Sequence, residues 1–102
     1  MLNNSEITTL INLLNDGDIE WTRFDCKNAY FSDLLVDNYR LFRSYNTIVG
    51  LIDISDGVFY EINKYSTTTS KQVTQFYNRY YRNFERVLVH INNALFNEAK
   101  MC

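Results

Sequence analysis

Residues 70–97 read SKQVTQFYNRYYRNFERVLVHINNALFN. Val73, Phe76, Tyr77, Tyr80, Phe84, Val87, Leu88, Ile91, Ala94 and Leu95 recur at i, i+3, i+4 spacing, which draws one apolar stripe along a helix. The hydroxyl run Ser66-Thr67-Thr68-Thr69-Ser70 supplies side-chain acceptors for the first amides of that helix. The stripe ends where Glu98 falls on the apolar side, so the spacing predicts a single long helix from about Ser70 to Asn97. At 1.5 Å per residue it would run roughly 40 Å. A seven-residue strand spans only about 23 Å. Such a helix would overhang its sheet.

Upstream of it the periodicity changes. Thr47-Ile48-Val49-Gly50-Leu51-Ile52-Asp53 is a β-branched apolar run suited to a central strand. Ser55-Asp56-Gly57 is a hairpin turn, because Asp-Gly readily takes positive φ. Val58, Tyr60 and Ile62 then alternate with Phe59, Glu61 and Asn63 as the returning strand. Tyr39 to Asn46 also alternates, with aromatic side chains on both faces. Ile19 and Trp21 suggest a short strand. Residues 30–36 read equally as a strand or a helical turn. Near the N-terminus, Asn3 and Glu6 form a capping pair ahead of Ile7, Leu10, Ile11 and Leu14, with Gly17 as the stop. This predicts a helix over about residues 4–16, with Thr8, Thr9, Asn12 and Asn15 outward.

The expected fold is therefore α+β in one domain, residues 1–102. An N-terminal helix, a three- to four-stranded antiparallel sheet with an Asp-Gly hairpin, and a long C-terminal amphipathic helix packed on the sheet complete it. The chain has no proline, and no apolar run approaches a membrane span. The Met1-to-Glu6 start lacks the basic and apolar parts of a signal peptide. A cytoplasmic protein is expected, in the host cytoplasm if viral. Cys26 and Cys102 are too few for a disulfide framework and read as free thiols.

Chemistry-bearing motifs are sparse. His90 is the only histidine, so no two-histidine metal site exists in one chain. Three scattered glycines cannot build a phosphate loop, and no carboxylates form a recognisable acid/base pair. No enzyme activity, cofactor or metal is expected. The charge is divided: residues 1–65 carry five Lys/Arg and ten Asp/Glu, and residues 66–102 carry five Lys/Arg and two Asp/Glu. A dipolar chain of this kind can bind a charged partner on one face. The acidic candidates are Asp33, Asp37, Asp53, Asp56 and Glu61. The basic candidates, for a protein partner or a nucleic acid, are Lys71, Arg79, Arg82 and Arg86 with Tyr81 interleaved. Off the apolar stripe, Val89 and Phe96 suggest a self-association face on the overhanging helix, giving a homodimer.

The segments Leu41-Phe42-Arg43-Ser44-Tyr45-Asn46-Thr47-Ile48-Val49-Gly50 and Tyr65-Ser66-Thr67-Thr68-Thr69-Ser70-Lys71 carry a resemblance. Small uncharacterised domains of bacteriophage and plasmid proteins have a similar Ser-Tyr-x-Thr strand followed by a Tyr-Ser-x-Thr-Thr-Ser-Lys helix start. The likeness covers about residues 40–76, and Gln72 stands where that pattern usually has His, so no role of that His carries over. The resemblance implies a phage or mobile-element origin. It suggests an accessory protein that binds and inhibits a host protein, as anti-CRISPR and other defence inhibitors do. The alternatives are a small nucleic-acid-binding regulator and a homo-oligomeric structural or assembly protein.

Overall fold

The computed structural model describes residues 1–24, 28–63 and 66–91, and the backbone alone of Asp37. The first helix, α1, spans Asn4–Asn15. Its capping box forms as the sequence predicts: the Asn3 side chain accepts from the Glu6 amide at 2.8 Å, and the Asn3 amide donates to the Glu6 carboxylate at 2.9 Å. Ile7, Ile11 and Leu14 are buried. Asn15, predicted to face outward, is fully buried, whereas Leu13 is 71% exposed.

Among the described residues, six strands form one sheet in the order β1-β2-β3-β4-β5-β6. They are β1 (Trp21–Arg23), β2 (Ala29–Ser32), β3 (Tyr39–Ser44), β4 (Thr47–Asp53), β5 (Val58–Ile62) and β6 (Glu85–Val89). The first five pair antiparallel as a meander. The ambiguous stretch 30–36 resolves into the end of β2 and the start of a 3₁₀ turn, Val36–Asn38. The Asp-Gly turn joins β4 to β5, with Gly57 at φ 68°. After β5 the chain crosses the sheet through α2 (Thr67–Tyr80), and β6 returns parallel to β5.

This corrects the expected fold in two ways. The sheet has six strands and is mixed, not three or four and antiparallel. The long C-terminal helix is a 14-residue helix followed by a turn and a strand. Ser66 caps α2 by accepting from the Thr69 amide at 3.2 Å. The chain leaves the helix at Tyr81 (φ −134°), and the Phe84 amide donates back to the Tyr81 carbonyl at 2.8 Å. The Tyr77 hydroxyl clasps this turn by donating to the Phe84 carbonyl at 2.5 Å. Glu85-Arg86-Val87-Leu88-Val89 is rich in β-branched residues, which weakens a helix and favours a strand. The open edge of β5 supplies the hydrogen bonds. The helical stripe beyond Ile91, including Phe96, lies outside the described residues, as do Cys26 and Cys102.

Both sheet faces are covered. On one, Leu41, Ile48, Leu51, Tyr60 and Ile62 pack against Ile7, Ile11 and Leu14 of α1. On the other, Phe42, Val49, Ile52 and Phe59 pack against Val73 and Phe76 of α2. A β-bulge shifts the alternation of β4: Phe42 pairs with Gly50 and Arg43 with Ile48, leaving Val49 as the extra residue, so Ile48 and Leu51 share one core layer and Val49 and Ile52 the other.

Candidate functional site

The meander sends the start of β1, β3 and β5 and the end of β2 and β4 to one end of the sheet. Backbone bonds stitch the loops there together: Asp33 N–H to Glu20 O at 3.2 Å, Ile54 N–H to Asn38 O at 3.1 Å, and Glu85 N–H to Gly57 O at 3.0 Å. The end of α1 arrives at the same place, because Leu14, Gly17, Asp18 and Ile19 share a groove with Leu35 and Val36. Topology thereby gathers Asp16, Asp18, Glu20, Asp33, Asp37, Asp53, Asp56 and Glu85, eight of the twelve acidic residues of the chain. Loops 16–20 and 33–38 contain five of these and no Lys or Arg.

Individual carboxylates differ in what they can do. Asp16, Asp18, Glu20, Asp33 and Asp56 are exposed. Asp53 is buried and structural: its carboxylate accepts from the Asp56 amide at 3.1 Å and shapes the hairpin turn. Glu61 is buried on the α2 face and bound to Arg86 at 2.7 Å. Asp37 lies in the 3₁₀ turn of the acidic end. Of the five acidic residues singled out in the sequence, the fold exposes Asp33 and Asp56 on this surface, sets the backbone of Asp37 in the turn beside them, and withdraws Asp53 and Glu61.

The predicted basic face is also divided. Lys71, Arg79 and Arg82 are exposed, with the Arg79 guanidinium 5.3 Å from the Phe24 ring centre. Tyr81 is buried, and its hydroxyl accepts from the Arg40 guanidinium at 2.7 Å. Arg86 belongs to the Glu61 pair. Val89 is half-buried in β6 against the α1-side core, so it presents no helix face. The continuous helix on which the homodimer expectation rested is broken at Tyr81, and Phe96, its other candidate, lies outside the described residues.

Sequence reasoning missed Asp16, Asp18, Glu20, Leu13 and Val36. The available signal was the doublet Leu13-Leu14 and the triplet Leu34-Leu35-Val36, since a helix face or a turn can bury only some of each. The result is an acidic surface with exposed aliphatic side chains among its carboxylates. Among the described residues, no group of three His, Cys, Asp or Glu could hold a metal ion, and no helix is long and apolar enough to cross a membrane.

These features define a small three-layer α+β domain with a mixed six-stranded sheet and one strongly acidic sheet end. The chain belongs to a family of unknown function, DUF8033, whose model matches residues 15–88. That match runs from the end of α1 into β6, so it takes in both acidic loops and α2. No curated protein and no solved structure matches the chain.

Proposed function

We propose that this chain is a non-enzymatic binding protein that uses the acidic end of its sheet to grip a basic surface of another protein. The observation that carries the reading is the convergence of Asp16, Asp18, Glu20, Asp33 and Asp56 on one surface. The first four lie in loops without a compensating Lys or Arg. Such a surface raises association rates with a positively charged partner and repels acidic ones. The resemblance to phage and plasmid domains supports a host protein as that partner. Inhibition then follows if the covered surface is one the host protein uses, such as a nucleic-acid-binding face. The rival reading, nucleic-acid binding through α2, has less support. It loses Tyr81 to the core and Arg86 to an ion pair, and keeps Lys71, Arg79 and Arg82.

The test is affinity capture from host lysate across salt concentrations, with the intact chain and with Asp18→Lys/Glu20→Lys/Asp33→Lys. A discrete partner, weakened by salt and lost on charge reversal, is the expected result. Capture indifferent to reversal, or a salt-sensitive shift of DNA instead, would overturn it.

A further inference from the structure

Within the acidic end, the fold leaves an apolar groove open. Leu10 and Leu13 of α1 form one wall, and Ile19, Leu35 and Val36 form the other, over Gly17 and Asp18. Leu13 is 71% and Val36 73% exposed. α1 already buries Ile7, Ile11 and Leu14 against the sheet, so Leu13 adds nothing to that contact. One exposed leucine means little on its own. Several aliphatic side chains gathered on one depression are the pattern of an interaction site. The groove holds about 260 Å³. That is room for a few apolar side chains of a partner.

The rim says what those side chains belong to. Asp18 opens onto the groove, and Asp16, Glu20 and Asp33 are exposed beside it. With no Lys or Arg in either loop, an occupant gains most by bringing its own cations. A second copy of this chain would instead set like charges against each other across a two-fold axis. We infer that this groove is the anchor pocket for a basic amphipathic segment of a partner protein. It takes in apolar side chains of that segment while Asp16, Asp18, Glu20 and Asp33 meet its flanking lysines and arginines. The inference rests on the proposed acidic binding surface and adds the apolar half of the recognition.

Fluorescence anisotropy with the full chain and short labelled peptides tests it. One peptide is an amphipathic Lys/Leu sequence, one replaces each Leu by Ser, and one replaces each Lys by Glu. The groove variant is Leu13→Gln/Val36→Thr; both positions are exposed, so its thermal midpoint should match that of the parent. The charge variant is Asp18→Lys/Glu20→Lys. The Lys/Leu peptide should bind most tightly, and the groove variant should weaken it about tenfold while leaving the Lys/Ser peptide unchanged. The charge variant should weaken both.

If the groove variant binds Lys/Leu as well as the parent does, the groove inference fails, while loss in the charge variant would leave the acidic-surface reading standing. Equal binding of the Glu/Leu peptide would mean plain apolar adhesion and overturn the inference. If light scattering shows a dimer that the groove variant dissolves, the occupant is a second copy and the inference is wrong. If no cationic peptide binds, both readings fall.

Discussion

The Arg86 guanidinium donates to the Glu61 carboxylate from both Nε and Nη2, at 3.0 and 2.7 Å, and Nη2 also reaches Thr74 Oγ1 of α2 at 3.0 Å. One side chain of β6 therefore ties together the neighbouring strand and the crossover helix. Its guanidinium lies 5.2 Å from the centre of the Tyr77 ring, and Tyr77 holds the turn that leads into β6. This cluster secures the parallel pairing between β5 and β6. It also turns an arginine that looked like a solvated contact into part of the fold.

Loss of either partner should cost stability unequally. The Glu61 side chain is 10% exposed and that of Arg86 29%. Arg86→Met strands a carboxylate that water reaches poorly, which after discounting for the partly open guanidinium should destabilise by about 2 kcal/mol. Glu61→Gln leaves Arg86 its bond to Thr74 and access to solvent, and should cost about 1 kcal/mol. Urea unfolding midpoints measure both. Equal losses would mean that the carboxylate is not the more deeply held partner.

The same residues show where the sequence could be read and where it could not. Asn3 and Glu6 announce α1 because a capping box is a local device, complete within four residues. Asp56-Gly57 announces the hairpin for the same reason. The run from Phe84 to Ile91 fits a helical stripe and a strand equally, since Val87 and Leu88 satisfy either period. What decides it is distant in sequence: the open edge of β5 and the carboxylate of Glu61. The acidic end escaped for a related reason. Asp16, Glu20, Asp33 and Asp56 are scattered along the chain, and only the meander's register brings them to one end. Leu13 was lost because a helix of three turns tolerates an apolar residue off its stripe.

Arg43 of β3 should resist replacement by lysine. It is 2% exposed, with its guanidinium 4.3 Å from the Tyr30 ring centre and 4.7 Å from that of Trp21. A planar guanidinium lies against two rings, whereas an ammonium is a compact point charge that keeps its hydration more strongly. Arg43→Lys should cost about 1–2 kcal/mol, against less than ~0.5 kcal/mol for Arg82→Lys on the surface. Thermal unfolding of the two variants gives the comparison; indistinguishable midpoints would contradict the stacking role.

Gly50 should not accept even a methyl group without loss. A Cβ built there lies 3.2 Å from the Phe42 Cβ and 3.7 Å from the Phe59 ring. Both neighbours are fully buried and packed on Phe76. The bulge at Val49 brings position 50 opposite Phe42, so neither strand can shift without losing register. Gly50→Ala should destabilise by about 1–3 kcal/mol through overpacking. Gly17, where an added Cβ would meet only the Leu14 carbonyl at 3.5 Å, should tolerate the same change within about 0.5 kcal/mol. Paired urea titrations would read the difference.

Stability should fall at alkaline pH with a contribution traceable to Tyr60. Its side chain is fully buried in the α1-side core, and burial raises its pKa above the ordinary tyrosine value of 10.0. The hydroxyl accepts from the Leu2 amide at 2.9 Å, which opposes the rise, while Asp53, Asp56 and Glu6 add to it. The unfolded chain then loses this proton at lower pH than the folded one. Below 10.0 the tyrosine's contribution is fully present; as pH climbs through and past that value it is lost, because the folded state keeps a proton the unfolded state releases. Tyr60→Phe removes both the Leu2 bond and the titration. The wild-type advantage over the variant should therefore be largest near about pH 8 and shrink towards about pH 11, as read from urea midpoints across that range. Parallel curves for the two proteins would show that the Tyr60 hydroxyl titrates alike in both states.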